Sequence, residues 1–137
     1  MTNPLYQTDS YLRSFQAEVT GIDLEQHAVI LDQTAFYPGG GGQPNDVGAL
    51  LIGGESLQVV RVKRVGGEIL HFLDPDSQLP SAGTSVTGEL DWNRRYQLMR
   101  THTAMHILCG VVFRDYGAQV TGGNMEPLQG RMDFEFE

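Results

Sequence analysis

From Phe15 to Leu90 the chain runs in short stretches of strand-forming residues punctuated by glycine. Phe15-Gln16-Ala17-Glu18-Val19 alternates apolar and polar residues with period two, as does the second half of Leu57–Val65. This predicts strands with one buried and one wet face. Gly53-Gly54 and Gly66-Gly67 are flanked by such runs, and Gly-Gly is a hairpin signal because both central positions accept positive φ. His27–Asp32, Gly48–Ile52, Glu68–Leu73 and Ser85–Leu90 complete about six strands at close spacing. That density predicts a small antiparallel barrel or sandwich.

After Leu90 the period changes. Asp91 is a credible N-cap, and Trp92 to Tyr116 runs with Gly110 as its sole glycine and no proline, ending at Gly117 in the C′ position. The spacing predicts one long helix whose stripe Leu98, Met105, Leu108, Cys109 and Val112 turns His102 and His106 towards an interior or a cleft. Beyond it, Thr121-Gly122-Gly123-Asn124 predicts a turn, and Arg131-Met132-Asp133-Phe134-Glu135-Phe136 alternates as a strand. The apolar face of that strand, Met132, Phe134 and Phe136, needs a sheet and a covering layer to bury it. The expected fold class is therefore α+β: a glycine-rich antiparallel barrel or sandwich over 1–90, then the opening part of a larger α+β domain over 91–137.

Composition narrows the class. The 137 residues are 40% hydrophobic with a formal charge of −8, normal for a globular chain and unfavourable to nucleic-acid binding through overall attraction. The cations are clustered, however: Arg61, Lys63 and Arg64 in one segment, Arg94, Arg95 and Arg100 in another. These are either a local basic patch or solvated strand and helix faces. The single cysteine, Cys109, excludes an intramolecular disulfide. No run of about 18 apolar residues occurs, and the N-terminus lacks the pattern of a secretory leader. A cytoplasmic, non-membrane protein is expected.

His102 and His106 stand four apart in Arg100-Thr101-His102-Thr103-Ala104-Met105-His106. On a helix that spacing stacks both imidazoles on one face, within reach of a single metal. The alternative is a pair of histidines that only exchange hydrogen bonds. A zinc-protease helix would carry Glu directly after the first His, and Thr103 stands there instead. Cys109 is either a further ligand or a buried apolar thiol. A second feature is Tyr37-Pro38-Gly39-Gly40-Gly41-Gly42-Gln43-Pro44-Asn45-Asp46-Val47-Gly48, whose bare backbone suits close approach to a ligand or another segment. Its aromatic and proline flanks fit a shaped loop better than a flexible tether. No Lys-Ser or Lys-Thr follows, so it is not a phosphate loop.

The glycine loop, then Arg94-Arg95, the Arg100–His106 segment and Gly130-Arg131-Met132-Asp133-Phe134, taken in this order, resemble the editing region of alanyl-tRNA synthetases and the free-standing alanyl-tRNA editing proteins of the AlaX family. The likeness spans roughly Phe15 to Glu137. It implies a translation-protein-like, glycine-rich β-barrel domain over 1–90 followed by the beginning of an α/β editing domain over 91–137. It also implies hydrolysis of the ester joining serine or glycine to alanine tRNA, with zinc held by His-x3-His on a helix and Cys-x3-His further along. His102 and His106 match the first pair; the second has no counterpart in this chain. Zinc in such a site polarises an ester carbonyl, lowers the pKa of a bound water to about 7, or holds the substrate amino group, and no side chain is singled out as catalytic. Thr121 matches by position a threonine that recognises the serine hydroxyl. Gln43, Asp46, Gly40 and Gly41 are candidates for substrate contact if the loop folds over the pocket, and Arg94, Arg95 and Arg100 for contact with tRNA(Ala). A loop that only joins two domains is the other reading. In the alternative to a deacylase, the chain is an inactive fragment or a tRNA- or partner-binding module.

Overall fold

A computed structural model describes residues 2–135. The chain divides into two compact units, Met1–Gly39 with Asn45–Trp92, and Gly40–Pro44 with Asn93–Glu137.

In the first unit, β1 (Asn3–Pro4) pairs in parallel with β4 (Gln33–Thr34). The rest is a closed antiparallel barrel of β2 (Ser14–Asp23), β3 (Ala28–Leu31), β5 (Gly48–Ile52), β6 (Glu55–Val65), β7 (Glu68–Leu73) and β8 (Ser85–Leu90), in the order β2-β3-β7-β6-β5-β8. Closure removes the edges on which an open sheet would pair with other chains. The hairpins form where the glycine pairs predict them: Ile52 faces Glu55 across Gly53-Gly54, and Val65 faces Glu68 across Gly66-Gly67. Alternation places Phe15, Val19, Leu31, Leu50, Val62 and Ile69 in the interior. Gly88 is needed for close approach, since a Cβ there would lie 2.4 Å from the Phe15 ring packed over it.

The barrel core encloses a titratable side chain, His71, fully buried. Its Nδ1 lies 3.2 Å from the Val29 carbonyl oxygen, which only accepts, so Nδ1 carries the proton. Nε2 is then the acceptor for the Thr34 hydroxyl at 2.9 Å, and Thr34 Oγ1 in turn accepts the Phe36 backbone N–H at 3.0 Å. Every polar atom in this chain is satisfied only if the imidazole is neutral. Burial accordingly lowers the His71 pKa from 6.5 to about 4, against a smaller opposing effect of the Val29 hydrogen bond. This network fixes Thr34 and Phe36, from which the glycine loop departs.

The second unit contains α1 (Trp92–Tyr116, its first residue grouped with the barrel) and the hairpin β9 (Gln119–Glu126) and β10 (Gln129–Glu135). The helix ends as its C′ glycine predicts: Gly117 has φ of 67° and donates its N–H to the Phe113 carbonyl at 2.8 Å. The predicted turn at Thr121–Asn124 is overturned. Those residues lie inside β9, and the reversal comes at Pro127-Leu128. Consecutive glycines signal close packing as well as turns, and here a Cβ at Gly123 would lie 2.9 Å from the Arg131 carbonyl oxygen. The ladder slips beside Thr121, where Asp133 pairs with Gly122 but Phe134 with Val120, so Thr121 is the extra residue of a bulge.

The apolar stripe of α1 is buried only in part. Leu98 is fully enclosed and Met105 and Val112 are half-buried, while Leu108 is 49% exposed. A helix of 25 residues is about 37 Å long, and a two-stranded hairpin covers only part of one side. Met132 and Phe134 on β10 are half-buried; Phe136, expected on the same face, lies outside the described residues.

Candidate functional site

Helical spacing brings the two imidazoles together on the second unit. His102 Nε2 and His106 Nε2 lie 2.9 Å apart, with ring centroids at 4.6 Å. One nitrogen must donate and the other accept. At a zinc–nitrogen distance of about 2.05 Å, this separation subtends roughly 90° at a shared ion, against roughly 109° for a regular tetrahedron. A widening of a few tenths of an ångström makes the pair two adjacent corners of a zinc shell, so the donor set fits zinc. Among the described residues no group of three or more His, Cys, Asp or Glu side chains is placed to hold a metal, and Cys109 therefore does not join the pair.

The rings border a cavity of about 340 Å³. Met105 of α1, Val120, Gly122 and Met125 of β9, and Met132 of β10 form its apolar walls, with Gly41 and Gly42 of the glycine loop on the remaining side. The loop tip is a shaped turn: Gly40 and Gln43 exchange backbone hydrogen bonds of 3.0 and 3.1 Å across Gly41-Gly42, whose φ values are 60° and 84°. Two successive positive φ angles are what glycine permits and other residues resist. The loop, which the sequence reading assigned to the first domain, thus groups with the helical unit and contributes to the cavity.

The remaining expected site residues fall in different places. Gly40 and Gln43 close the turn through their backbones and are outside the cavity lining. Asp46 is buried at the base of the loop, where its carboxylate accepts the Tyr37 N–H at 2.8 Å and its own N–H donates to the Tyr37 carbonyl at 2.9 Å. It staples the two limbs of the loop at their base. Burial, with Tyr6 and Asp46 nearby, raises the phenol pKa of Tyr37 at the same base. Thr121 is exposed and does not line the cavity. Among the cations, Arg94 is half-buried, Arg95 is only 3% exposed and so withdrawn from any cationic surface, and Arg100 is exposed. Sequence reasoning missed Met125, Met132 and Asn124 as lining residues; the available signal was that Gly123, Met125 and Met132 share the helix-facing side once β9 is read as a strand.

Residues 8–94, well over half of the chain, match the family of tRNA synthetases class II (A). The chain belongs to that family. The AlaX-like resemblance read from the motifs is borne out within it. The chain is 47% identical over 139 residues to the alanyl-tRNA editing protein AlaX-M of Saccharolobus solfataricus, covering all of this chain and 58% of that protein. It is 40% identical to AlaX-M of Methanosarcina mazei, again over its whole length and 57% of the relative. The alanine–tRNA ligase of Ignicoccus hospitalis is 44% identical over 135 residues, 97% of this chain and 14% of the ligase. The chain therefore spans a little over half the length of these AlaX-M relatives. No helix among the described residues is long and apolar enough to cross a membrane.

Proposed function

We propose that the cavity beside His102 and His106 hydrolyses the ester of mischarged alanine tRNA, releasing serine or glycine. The single observation that carries this reading is the convergence of two imidazoles and a glycine turn on one small cavity in a chain similar along its whole length to alanyl-tRNA editing proteins. The volume of about 340 Å³ is at the small end of ligand sites, which suits an amino acid at the 3′ end of a polynucleotide. His102 and His106 would hold zinc through Nε2, as two of its ligands. Zinc bound there supplies Lewis acidity towards the ester carbonyl or the attacking water. The chain's own residues do the rest: Gly41 and Gly42 let backbone approach the acyl group, and the methionine walls limit access of bulk water.

A second reading, a tRNA- or partner-binding module without catalysis, is favoured by one observation: only two candidate zinc ligands converge among the described residues. Metal analysis of the purified protein together with release of labelled amino acid from seryl-, glycyl- and alanyl-tRNA(Ala) separates the two. The deacylase reading expects one zinc per chain and faster release of serine or glycine than of alanine. Tight tRNA binding without zinc and without release would favour the module.

A further inference from the structure

A second cavity of about 340 Å³ lies under the same helix, bounded by Arg100, Thr101, Ala104, Leu108, Leu128 and Gly130. Met105 is the one side chain that lines both this space and the cavity beside the histidines. Its thioether rests on the hairpin where two glycines make room. A Cβ at Gly130 would lie 2.6 Å from Met105 Sδ, and one at Gly123 would lie 3.7 Å from Met105 Cε. The helix register fixes this placement, since Met105 precedes His106 and follows His102 on the face turned to the hairpin.

We infer that Met105 is a specificity-determining residue: its side chain is the partition that caps the acyl pocket, so that small aminoacyl groups fit beside the histidines and branched apolar ones do not. This rests on the deacylase reading for its substrate class. Shortening the partition joins the two spaces, and the added one is a solvent-open groove bordered by the half-exposed Leu108 and Leu128, which suits a branched apolar acyl group. Thickening the floor acts in the opposite sense. Gly130 borders only the second cavity, so a methyl there drives Sδ towards the histidines and narrows the pocket.

Hydrolysis of glycyl-, seryl- and leucyl-tRNA(Ala) is compared for the wild type, Met105→Ala, Met105→Leu and Gly130→Ala. Met105→Ala should raise the leucyl-to-seryl rate ratio about tenfold or more, the scale on which pocket size discriminates. Met105→Leu, which keeps the partition, should leave the ratio within about threefold. Gly130→Ala should lower the seryl-to-glycyl ratio. Unchanged ratios in Met105→Ala and Gly130→Ala would overturn the inference. If the wild type hydrolyses none of the esters, the deacylase reading fails on its own, and the partition is tested by methyl NMR with leucine methyl ester as probe. Shifts of both Met132 and Leu128 methyls in Met105→Ala, but of Met132 alone in the wild type, support it; an unmoved Leu128 in Met105→Ala overturns it. Should Met105→Ala fail to fold, the Gly130→Ala ratio alone decides.

Discussion

Acidification should unlock the barrel through His71. In the folded chain the imidazole is held neutral by a donor role towards Val29 and an acceptor role towards Thr34, and its pKa falls to about 4. In the unfolded chain it returns to about 6.5. Above pH 6.5 both states are neutral and the full stability is present; as pH falls, the unfolded state takes up the proton first, so stability is lost between about 6.5 and 4 and levels off below. Each unit of pKa difference corresponds to about 1.4 kcal/mol, so the loss is on the order of 3 kcal/mol. That is a large share of the 5–15 kcal/mol typical of a folded domain. Urea unfolding followed by the fluorescence of Trp92, the single tryptophan, measures it at half-unit steps of pH. His71→Leu serves as the reference: it leaves the buried Thr34 hydroxyl without its acceptor and costs roughly 1–3 kcal/mol at pH 7, but carries no proton at any pH. The gap between the two proteins should therefore shrink or reverse by pH 4. Parallel pH curves for wild type and variant would refute the reasoning, as would an NMR titration in which folded His71 protonates near 6.5.

Further outcomes follow from other contacts. Gly48→Ala would put a Cβ 2.1 Å from the Glu89 carbonyl oxygen, a backbone atom that cannot swing aside, and should cost about 2 kcal/mol or more in urea unfolding; an unmoved midpoint would contradict the close approach of β5 and β8. Leu128 has φ of 59° at the β9–β10 turn, so Leu128→Gly should stabilise the hairpin by about 1 kcal/mol, read as slower amide exchange along β9 and β10. Asp46→Ala removes the carboxylate that accepts the Tyr37 N–H and should speed exchange of that amide at least tenfold, the equivalent of about 1.4 kcal/mol; unchanged protection would mean the staple does not hold the loop.

How far the chain could be read in advance depended on which signals were local. Strand alternation, the two Gly-Gly hairpins and the C′ glycine at Gly117 report on a few neighbouring residues, and the barrel and helix followed from them. The Thr121–Asn124 segment misled because glycine marks two different needs, a reversal or a close approach, and only the position of Met105 on the helix and of Arg131 on the partner strand distinguishes them. The same reason hid the roles of the loop residues. Asp46 looked like a pocket residue because it follows four glycines, yet its carboxylate turns back to Tyr37, a partner nine positions earlier. Arg95 looked like a cation for a phosphate backbone, and its burial is a tertiary property with no trace in spacing. His71 carried no warning either, since a histidine inside a strand reads the same whether it faces water or a core. The histidine pair was legible because helical spacing alone sets its geometry.

The central claim is that His102 and His106 form the reactive edge of an acyl pocket, and single-turnover release of serine from seryl-tRNA(Ala) by the zinc-loaded protein tests it most directly. Release should run well above the spontaneous rate for the wild type and fall to that rate in both His102→Ala and His106→Ala while each variant stays folded. Release that is equally fast in wild type and variants, or absent from all three, would contradict it.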